Sequence, residues 1–301
     1  MDERPEQPAV SGTLEVCFDS AQDIARSIEL IRQSLAEHEK FGRLKEQADD
    51  LGNLGTCYRL LGGVPQAMDY FQRALTIEEN LGRLDGQAIQ LGNLGICYEM
   101  LGDVAKAIDL IGRSLQINEW IGRLDAQAAA LGNLGVCYQR LGDIPNAIDL
   151  IQRSLGINVK LQRFEAQADN LANLGICYQT LHEYPKAIDL LARSFEINER
   201  LGSPAGSAAA LGNIGICYQN LHDISTALDL HQRALEVDEQ LGNLAGQARH
   251  LGNIGICYQS LAEMPMAKKY LARALELYEK MGIPDGHPDV ALLRRSLHDN
   301  T

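Results

Sequence analysis

The stretch LGNLGTCY at residues 51–58 decides the fold, because it returns at a fixed interval along the 301-residue chain. The interval is 40 residues, without insertion or deletion, and near-identical copies begin at Leu91, Leu131, Leu171, Leu211 and Leu251. A degraded copy, SGTLEVCF, begins at Ser11. Self-similarity at a period of this length is typical of proteins that stack one supersecondary unit many times.

Each 40-residue block carries two helical patterns that are separated by a tight turn. Around residue 140, small and apolar residues recur at spacings of three and four on both sides of Gly142 and Asp143. That spacing is the period of an amphipathic helix. Gly142 suits the left-handed residue that ends a helix, and Asp143 suits the N-cap of the next one. No stretch has the alternation of a strand, so the sequence predicts an all-α chain of helical hairpins.

Eight offsets within the block resemble the motif of the tetratricopeptide repeat family. In one block they are filled by Leu131, Leu134, Gly135, Tyr138, Gly142, Ala147, Ile151 and Ser154. The same match runs from residue 51 to about residue 275. The resemblance implies a right-handed α-solenoid (superhelix) of two-helix repeats. The ordinary unit has 34 residues, and the longer unit here resembles the polarity-adaptor proteins related to Pins and LGN.

The period also predicts the organisation of the chain. Seven units are expected, the first of them degenerate, at residues 11–50, 51–90, 91–130, 131–170, 171–210, 211–250 and 251–290. Residues 1–10 are polar and contain proline, which is typical of a disordered tail. Residues 288–301 are expected to form a capping helix and tail, with apolar Val290, Leu293 and Leu297 covering the last unit. Trp120, at the end of a second helix, is expected to pack on the following block.

Composition excludes several classes of function. A net charge of −13 argues against generic binding to nucleic acid or to anionic membranes, which need clustered Lys and Arg. No apolar run approaches the ~18 residues that a membrane-spanning helix needs, so no membrane insertion is expected. The chain begins MDERPEQPAV, which has no apolar signal core. We therefore expect a cytoplasmic location.

Seven cysteines hold one place in every block, and they are interpreted as small buried hydrophobes. They are Cys17, Cys57, Cys97, Cys137, Cys177, Cys217 and Cys257. Equivalent atoms of stacked helices lie roughly 8–10 Å apart, whereas a disulfide needs Cα atoms within about 7 Å. Zinc needs four ligands around one point, and no histidine pair has a metal-binding spacing. No metal and no cofactor are expected.

One asparagine per block is the strongest candidate for a binding residue. The six are Asn53, Asn93, Asn133, Asn173, Asn213 and Asn253. Asn in a helix interior costs about 0.5 kcal/mol relative to Ala, so some benefit elsewhere is expected. In the resembled family the first helix of each unit lines the concave groove, and this residue often hydrogen-bonds the main chain of an extended peptide. Alternatively, Asn bonds a neighbouring helix, or the row simply records recent duplication.

Two further places per unit are expected to face the same groove. About two turns after the Asn stand Arg59, Glu99, Gln139, Gln179, Gln219 and Gln259. One turn before it, only Arg249 fits the basic place of the clamp with which co-chaperone members of the family hold a C-terminal carboxylate. The groove is thus polar but not strongly basic. We expect an extended partner segment that is neutral to mildly basic.

The predicted function is that of a protein–protein interaction scaffold or adaptor that binds an extended peptide in the concave groove. The alternative is a peptide-responsive sensor that acts with a separate effector chain. An enzyme is not expected, because no catalytic Ser, no Cys–His pair and no carboxylate pair stands out from the repeat background.

Overall fold

The computed structural model describes residues 21–284 and 286–298, and within them it contains fourteen helices and no strand. Clustering of contacts divides the chain into two compact units, Met1–Leu141 and Gly142–Thr301. The first unit contains α1 (Ala21–Lys40), α2 (Leu44–Leu60), α3 (Val64–Leu81), α4 (Leu84–Met100), α5 (Val104–Trp120) and α6 (Leu124–Arg140). The second contains α7 (Ile144–Lys160), α8 (Phe164–Thr180), α9 (Tyr184–Leu201), α10 (Pro204–Asn220), α11 (Ile224–Leu241), α12 (Leu244–Ser260), α13 (Met264–Lys280) and α14 (Pro288–His298).

Within each unit the helices stack in the order of the chain. Consecutive helices pack against each other, and each first helix also touches the next first helix, as α2 touches α4 and α8 touches α10. The helix content and the packing of consecutive helices confirm the predicted all-α solenoid of two-helix repeats. The hairpins run from residue 44 in steps of 40, so the sequence blocks have the right period but cut each first helix after its seventh residue.

The seven-unit division stays a prediction. The tail at 1–10, the first ten residues of the degenerate block (11–20) and residues 299–301 lie outside the described residues. The short helix α14 packs on α13, and its residues Val290 and Leu293 are buried. Leu293 lies over Gly252 of α12, so α14 covers apolar surface at the end of the last hairpin.

Local sequence explains where the helices start and stop. Asp143, directly before α7, accepts a hydrogen bond from the backbone N–H of Asn146 at 3.3 Å, which satisfies a donor at the helix start. Gly142 has φ +78°, and His182 and His222 adopt positive φ at the equivalent turns. Histidine is among the residues that tolerate this region best.

Glycine in each first helix lets the second helix of the same hairpin approach closely. A methyl group at Gly175 would lie 2.6 Å from Cγ of Leu191, and one at Gly255 would lie 2.7 Å from Cγ of Leu271. The large side chain of the second helix therefore occupies the space above the glycine. This contact holds the two helices of a hairpin together.

We expect Gly175→Ala to destabilise the fold and Gly156→Ala to stabilise it. The added methyl group at Gly175 overpacks the contact with Leu191, which costs about 1–3 kcal/mol. Gly156 is exposed in α7 with nothing near its Cα, so alanine there gains about 0.5–1 kcal/mol of helix propensity. Urea denaturation of both variants measures the two free energies of unfolding. Equal shifts of the same sign would contradict the packing role of Gly175.

The ends of the second helices form buried polar contacts with the next first helix, which we call the junctions. Asn158 of α7 donates to Oδ1 of Asn170 in α8 at 2.9 Å. At the equivalent place between α11 and α12, Asp238 Oδ2 lies 3.3 Å from Nε2 of His250. These four side chains are all buried. These two junctions therefore bring together polar groups that are hidden from water.

Two expectations on individual side chains have different outcomes. The six described cysteines are buried with free thiols, and burial raises the pKa of the last four of them to about 11. The expectation that Trp120 packs on the following block is wrong, because its side chain is 78% exposed. Trp120 is the last residue of α5, and Lys40 and Lys160 hold the equivalent exposed place at the ends of α1 and α7.

Candidate functional site

The repeated asparagines lie on the side of the first helices that is turned away from the second helices. The glycine two residues after each Asn faces the second helix of its own hairpin, as Gly95 faces Ile111 and Gly215 faces His231. At 3.6 residues per turn, two residues correspond to a rotation of about 200°, so the Asn points almost directly away from the second helix. We call this side the inner face.

The Asn side chains on the inner face are half-buried and have no hydrogen-bond partner. The first unit carries Asn53, Asn93 and Asn133, and the second carries Asn173, Asn213 and Asn253. Among the hydrogen bonds of the described residues, none involves a side-chain amide of these six. A hydrogen bond from these amides to a neighbouring helix, one of the two alternative explanations for the row, is not observed among the described residues. A free amide offers both a donor and an acceptor to a bound main chain.

A row of mostly branched apolar side chains accompanies the asparagines and was missed in the sequence. It stands one turn after each Asn and consists of Thr56, Ile96, Val136, Ile176, Ile216 and Ile256, all half-buried. Residues three apart are neighbours on a helix surface. The inner face therefore alternates amides with apolar contact area. The signal was present in the repeat itself, because a β-branched residue precedes every cysteine of these six blocks.

The residues predicted about two turns after the Asn are turned toward the next helix of the stack. Gln179 donates to the backbone oxygen of Asn213 at 3.4 Å, and Gln259 donates to that of Ser296 at 2.7 Å. Six residues are about 1.7 turns, which places these side chains about 120° away from the Asn. Their part in peptide binding stays a prediction, but here they connect neighbouring helices.

The remaining members of that set are half-buried. Gln139 and Gln219 hold the same place as Gln179, and Glu99 lies 2.8 Å from Nε of Arg140. Burial raises the pKa of the Cys97 thiol in the next first helix, and the charge of Arg59 offsets part of that rise. This side of the first helices therefore serves the stacking of repeats.

Two full turns after the Asn, the inner face carries small polar side chains in the second unit. Thr180, Asn220 and Ser260 are exposed there. Each donates to the backbone oxygen four residues earlier, at 3.0, 2.8 and 3.1 Å respectively. Seven residues return almost to the same side of a helix, so these residues extend the inner face toward the turns.

Charges on the inner face stand four residues before the Asn. Asp49, Asp169 and Arg249 hold this place in three repeats and are exposed, and apolar residues hold it in the others. Burial by the surrounding protein raises the pKa of both Asp49 and Asp169, although each carboxylate reaches solvent. Asp49 lies 3.8 Å from Nη1 of Arg83.

A sequence model of the family described as "Tetratricopeptide repeat" matches this chain five times. The matches cover residues 51–119, 86–158, 126–200, 164–240 and 206–280. The chain belongs to the tetratricopeptide repeat family. Tetratricopeptide repeats generally mediate protein–protein interaction, and the match indicates no catalytic family.

Solved structures with a similar fold include other helical-repeat proteins. The apo form of RapI matches with a TM-score of 0.72 at 15% identity, over 87% of this chain and 93% of that one. A Rap protein complexed with competence and sporulation factor matches with a TM-score of 0.64 at 13% identity, over 94% and 87%. BtubC from P. vanneervenii matches with a TM-score of 0.60 at 20% identity, over 76% and 94%. At such low identities the likeness shows the fold alone.

A search of curated protein sequences gave no match. Within the described part of this tetratricopeptide repeat chain, no group of three or more His, Cys, Asp or Glu side chains is placed to hold a metal ion. Over the same residues, none of the helices combines the length and the apolar character that crossing a membrane requires.

Proposed function

We propose that this chain is a protein-interaction scaffold that holds an extended peptide segment of a partner against the inner faces of its repeats. The observation that carries the proposal is the row of half-buried Asn amides that have no hydrogen-bond partner in the described part of the chain. An extended chain presents donors and acceptors of its own main chain, which these amides can pair. The branched row beside them supplies apolar contact to the peptide's side chains.

The partner segment is neutral to mildly basic in this proposal. The chain carries a net charge of −13, and two of the three charged residues four before an Asn are aspartates. The forty-residue unit supports a place among adaptors of the Pins and LGN type. We place the protein in the cytoplasm, where its buried thiols stay reduced.

Selection from a random dodecapeptide phage library on the immobilised full chain tests the proposal. The selected peptides are synthesised, and their affinity is measured by fluorescence anisotropy. The natural chain is compared with the triple variant Asn173→Ala, Asn213→Ala, Asn253→Ala. Each lost neutral hydrogen bond contributes about 1 kcal/mol, so we expect the triple variant to bind about 100-fold more weakly.

The triple variant is not expected to lose stability. Alanine is a better helix former than asparagine by about 0.5 kcal/mol per site, so the triple variant is expected to be at least as stable as the natural chain. Asn146→Ala, at an exposed asparagine near the start of the second helix α7, is the matched substitution outside the inner face. Winning peptides that bind the triple variant as tightly as the natural chain would contradict the proposal.

A peptide-responsive sensor is the second candidate, and the likeness to a Rap protein complexed with competence and sporulation factor favours it. Both candidates use the same binding face. They differ in whether binding changes the arrangement of the repeats. Small-angle scattering with and without a winning peptide separates them, because a scaffold keeps its scattering profile and a sensor changes it.

A further inference from the structure

The inner face of the second unit carries one unpaired negative and one unpaired positive charge at equivalent places. Asp169 lies on α8 and Arg249 lies on α12, each four residues before an inner-face Asn and each exposed. Neither has an ion pair with another described residue. Opposite charges without internal partners point to complementary charges on a bound molecule.

Comparison of Asp169 with Asp49 shows why its carboxylate is unpaired. In the first unit Asp49 lies 3.8 Å from Arg83, the residue that directly precedes α4. The equivalent place in the repeat of Asp169 is Ser203, which directly precedes α10. Ser203 makes no capping hydrogen bond with its side chain. The chain has thus replaced the cation that an equivalent aspartate uses.

The surroundings of Asp169 favour the binding of a cationic side chain. Burial raises the pKa of Asp169, the nearby charge of Glu165 raises it further, and no cation of the described residues lowers it. A Lys or Arg side chain of a partner would stabilise this carboxylate, because an opposite charge nearby favours the ionised form. At the other end, burial lowers the pKa of His231 and of His250, and the positive charge of Arg249 lowers each further.

The distance between the two charges sets how many peptide residues separate the two charged contacts. Asp169 and Arg249 are two repeats apart, and packed helices stand roughly 8–10 Å apart, so the charges are separated by roughly 20 Å. An extended chain advances about 3.3 Å per residue. About six residues of peptide therefore span the distance, past the amides of Asn173, Asn213 and Asn253.

We propose that the inner face of the second unit binds an extended peptide of a partner protein that carries a basic side chain at Asp169 and an acidic group about six residues away at Arg249. This inference rests on the proposed function, since the Asn amides hold the main chain between the two charged contacts. It adds the charge pattern by which the face recognises its partner.

The experiment continues the selection on the full chain with the random dodecapeptide library. Winning sequences are expected to be enriched in pairs of opposite charge separated by five to seven residues. Synthetic versions in which Lys or Arg is replaced by Gln, or Glu or Asp by its amide, are then titrated against Asp169→Asn and Arg249→Gln. Each protein variant is expected to weaken the charged peptide about five-fold, and to have no effect on the peptide that lacks the matching charge.

Ser203→Arg is the sharpest variant, because it supplies inside the chain the cation that Arg83 supplies to Asp49. We expect it to weaken basic peptides about as much as Asp169→Asn does. Asp189→Asn is the matched control, an exposed aspartate on α9 that lies 3.9 Å from Arg193. The control is expected to change affinity less than two-fold, and 0.5 M salt is expected to reduce the effects of the test variants.

The outcomes separate this inference from the proposed function. Peptides that need the Asn amides but bind all three charge variants as tightly as the natural chain would overturn the charge pattern and leave the proposed function standing. Failure of the library to yield any peptide that depends on the three asparagines would overturn both.

Discussion

The His231→Leu variant is expected to be more stable than the natural chain at pH 7, and the difference is expected to widen in acid. His231 of α11 is completely buried, and neither ring nitrogen has a hydrogen-bond partner among the described residues. Leaving a buried polar group unsatisfied costs about 1–3 kcal/mol. The equivalent places in the neighbouring hairpins hold Leu191 and Leu271, which fill the same space above a glycine.

The pH dependence follows from two buried imidazoles in contact. The rings of His231 and His250 lie 5.8 Å apart, and Asp238 Oδ2 lies 3.3 Å from Nε2 of His250. Burial, the other imidazole and the charge of Arg249 lower the pKa of His231 to about 3. Burial and Arg249 lower the pKa of His250 to about 4.

Acid therefore favours the unfolded chain at this junction. In the unfolded chain a histidine has a pKa of about 6.5, so protons bind the unfolded state first as the pH falls. Above pH 6.5 titration of these imidazoles does not affect the free energy of unfolding, and below it this free energy falls by up to about 1.4 kcal/mol per pH unit for each imidazole. The loss continues until the pH reaches the lowered pKa of the folded state.

Urea denaturation of the natural chain and of His231→Leu, between pH 7.5 and 4.5, measures this effect. The gain from the substitution should increase steadily below pH 6.5. His222→Asn, at an exposed turn histidine with φ +62°, is the matched control outside the buried pair. A gain for His231→Leu that stays constant over this range would show that His231 is not held neutral by burial.

Arg83→Leu is expected to destabilise the first unit by about 3–5 kcal/mol, the usual effect of removing one partner of a buried ion pair. Nη1 of Arg83 lies 3.3 Å from Oε1 of Glu78, whose side chain is 1% exposed at the junction between α3 and α4. Arg83 also lies 3.6 Å from Asp85 and 3.8 Å from Asp49. Without the guanidinium, the three carboxylates lose their shared ion-pair partner, and the charge of Lys45 acts on Asp49 and Glu78 without an ion pair.

The sign of the pH dependence is opposite to that of the histidine junction. Burial raises the pKa of Glu78, and Arg83 partly offsets this rise. Removing Arg83 raises the pKa further, so the folded variant takes up a proton before the unfolded chain does. The destabilisation should therefore be largest near pH 8 and shrink toward pH 5.

The double variant Glu78→Gln, Arg83→Leu separates charge from packing. It removes the buried carboxylate together with its partner, so its stability should exceed that of Arg83→Leu at pH 8. Thermal unfolding of both variants and of the natural chain at pH 5 and pH 8 provides the comparison. Equal losses for the single variant at the two pH values would mean that packing, rather than the Glu78 charge, explains its effect.

The hairpin architecture could be predicted because its signals are local. Two adjacent residues, Gly142 and Asp143, specify the turn. The structure reproduces the positive φ of Gly142 and the N-cap hydrogen bond of Asp143. The period then transfers one hairpin to the whole array. Even the close contact at Gly175 follows from the small residue that each motif repeats.

Contacts between neighbouring repeats could not be predicted in the same way. The partners at a junction differ from repeat to repeat, so the period hides pairs such as Asn158 with Asn170 and Asp238 with His250. Their residues lie twelve apart on two helices, and only the packing angle brings them together. The orientation of Gln179 was accessible from helix geometry, since six residues do not make two full turns.

A crystal structure of the chain with a selected peptide tests the central claim most directly. The account predicts an extended peptide on the inner face, with side-chain amides of Asn173, Asn213 and Asn253 within hydrogen-bonding distance, about 2.7–3.2 Å, of its main-chain N–H and C=O groups. A peptide seated on the second helices, or one on the inner face whose main chain makes no bond to these amides, would contradict it.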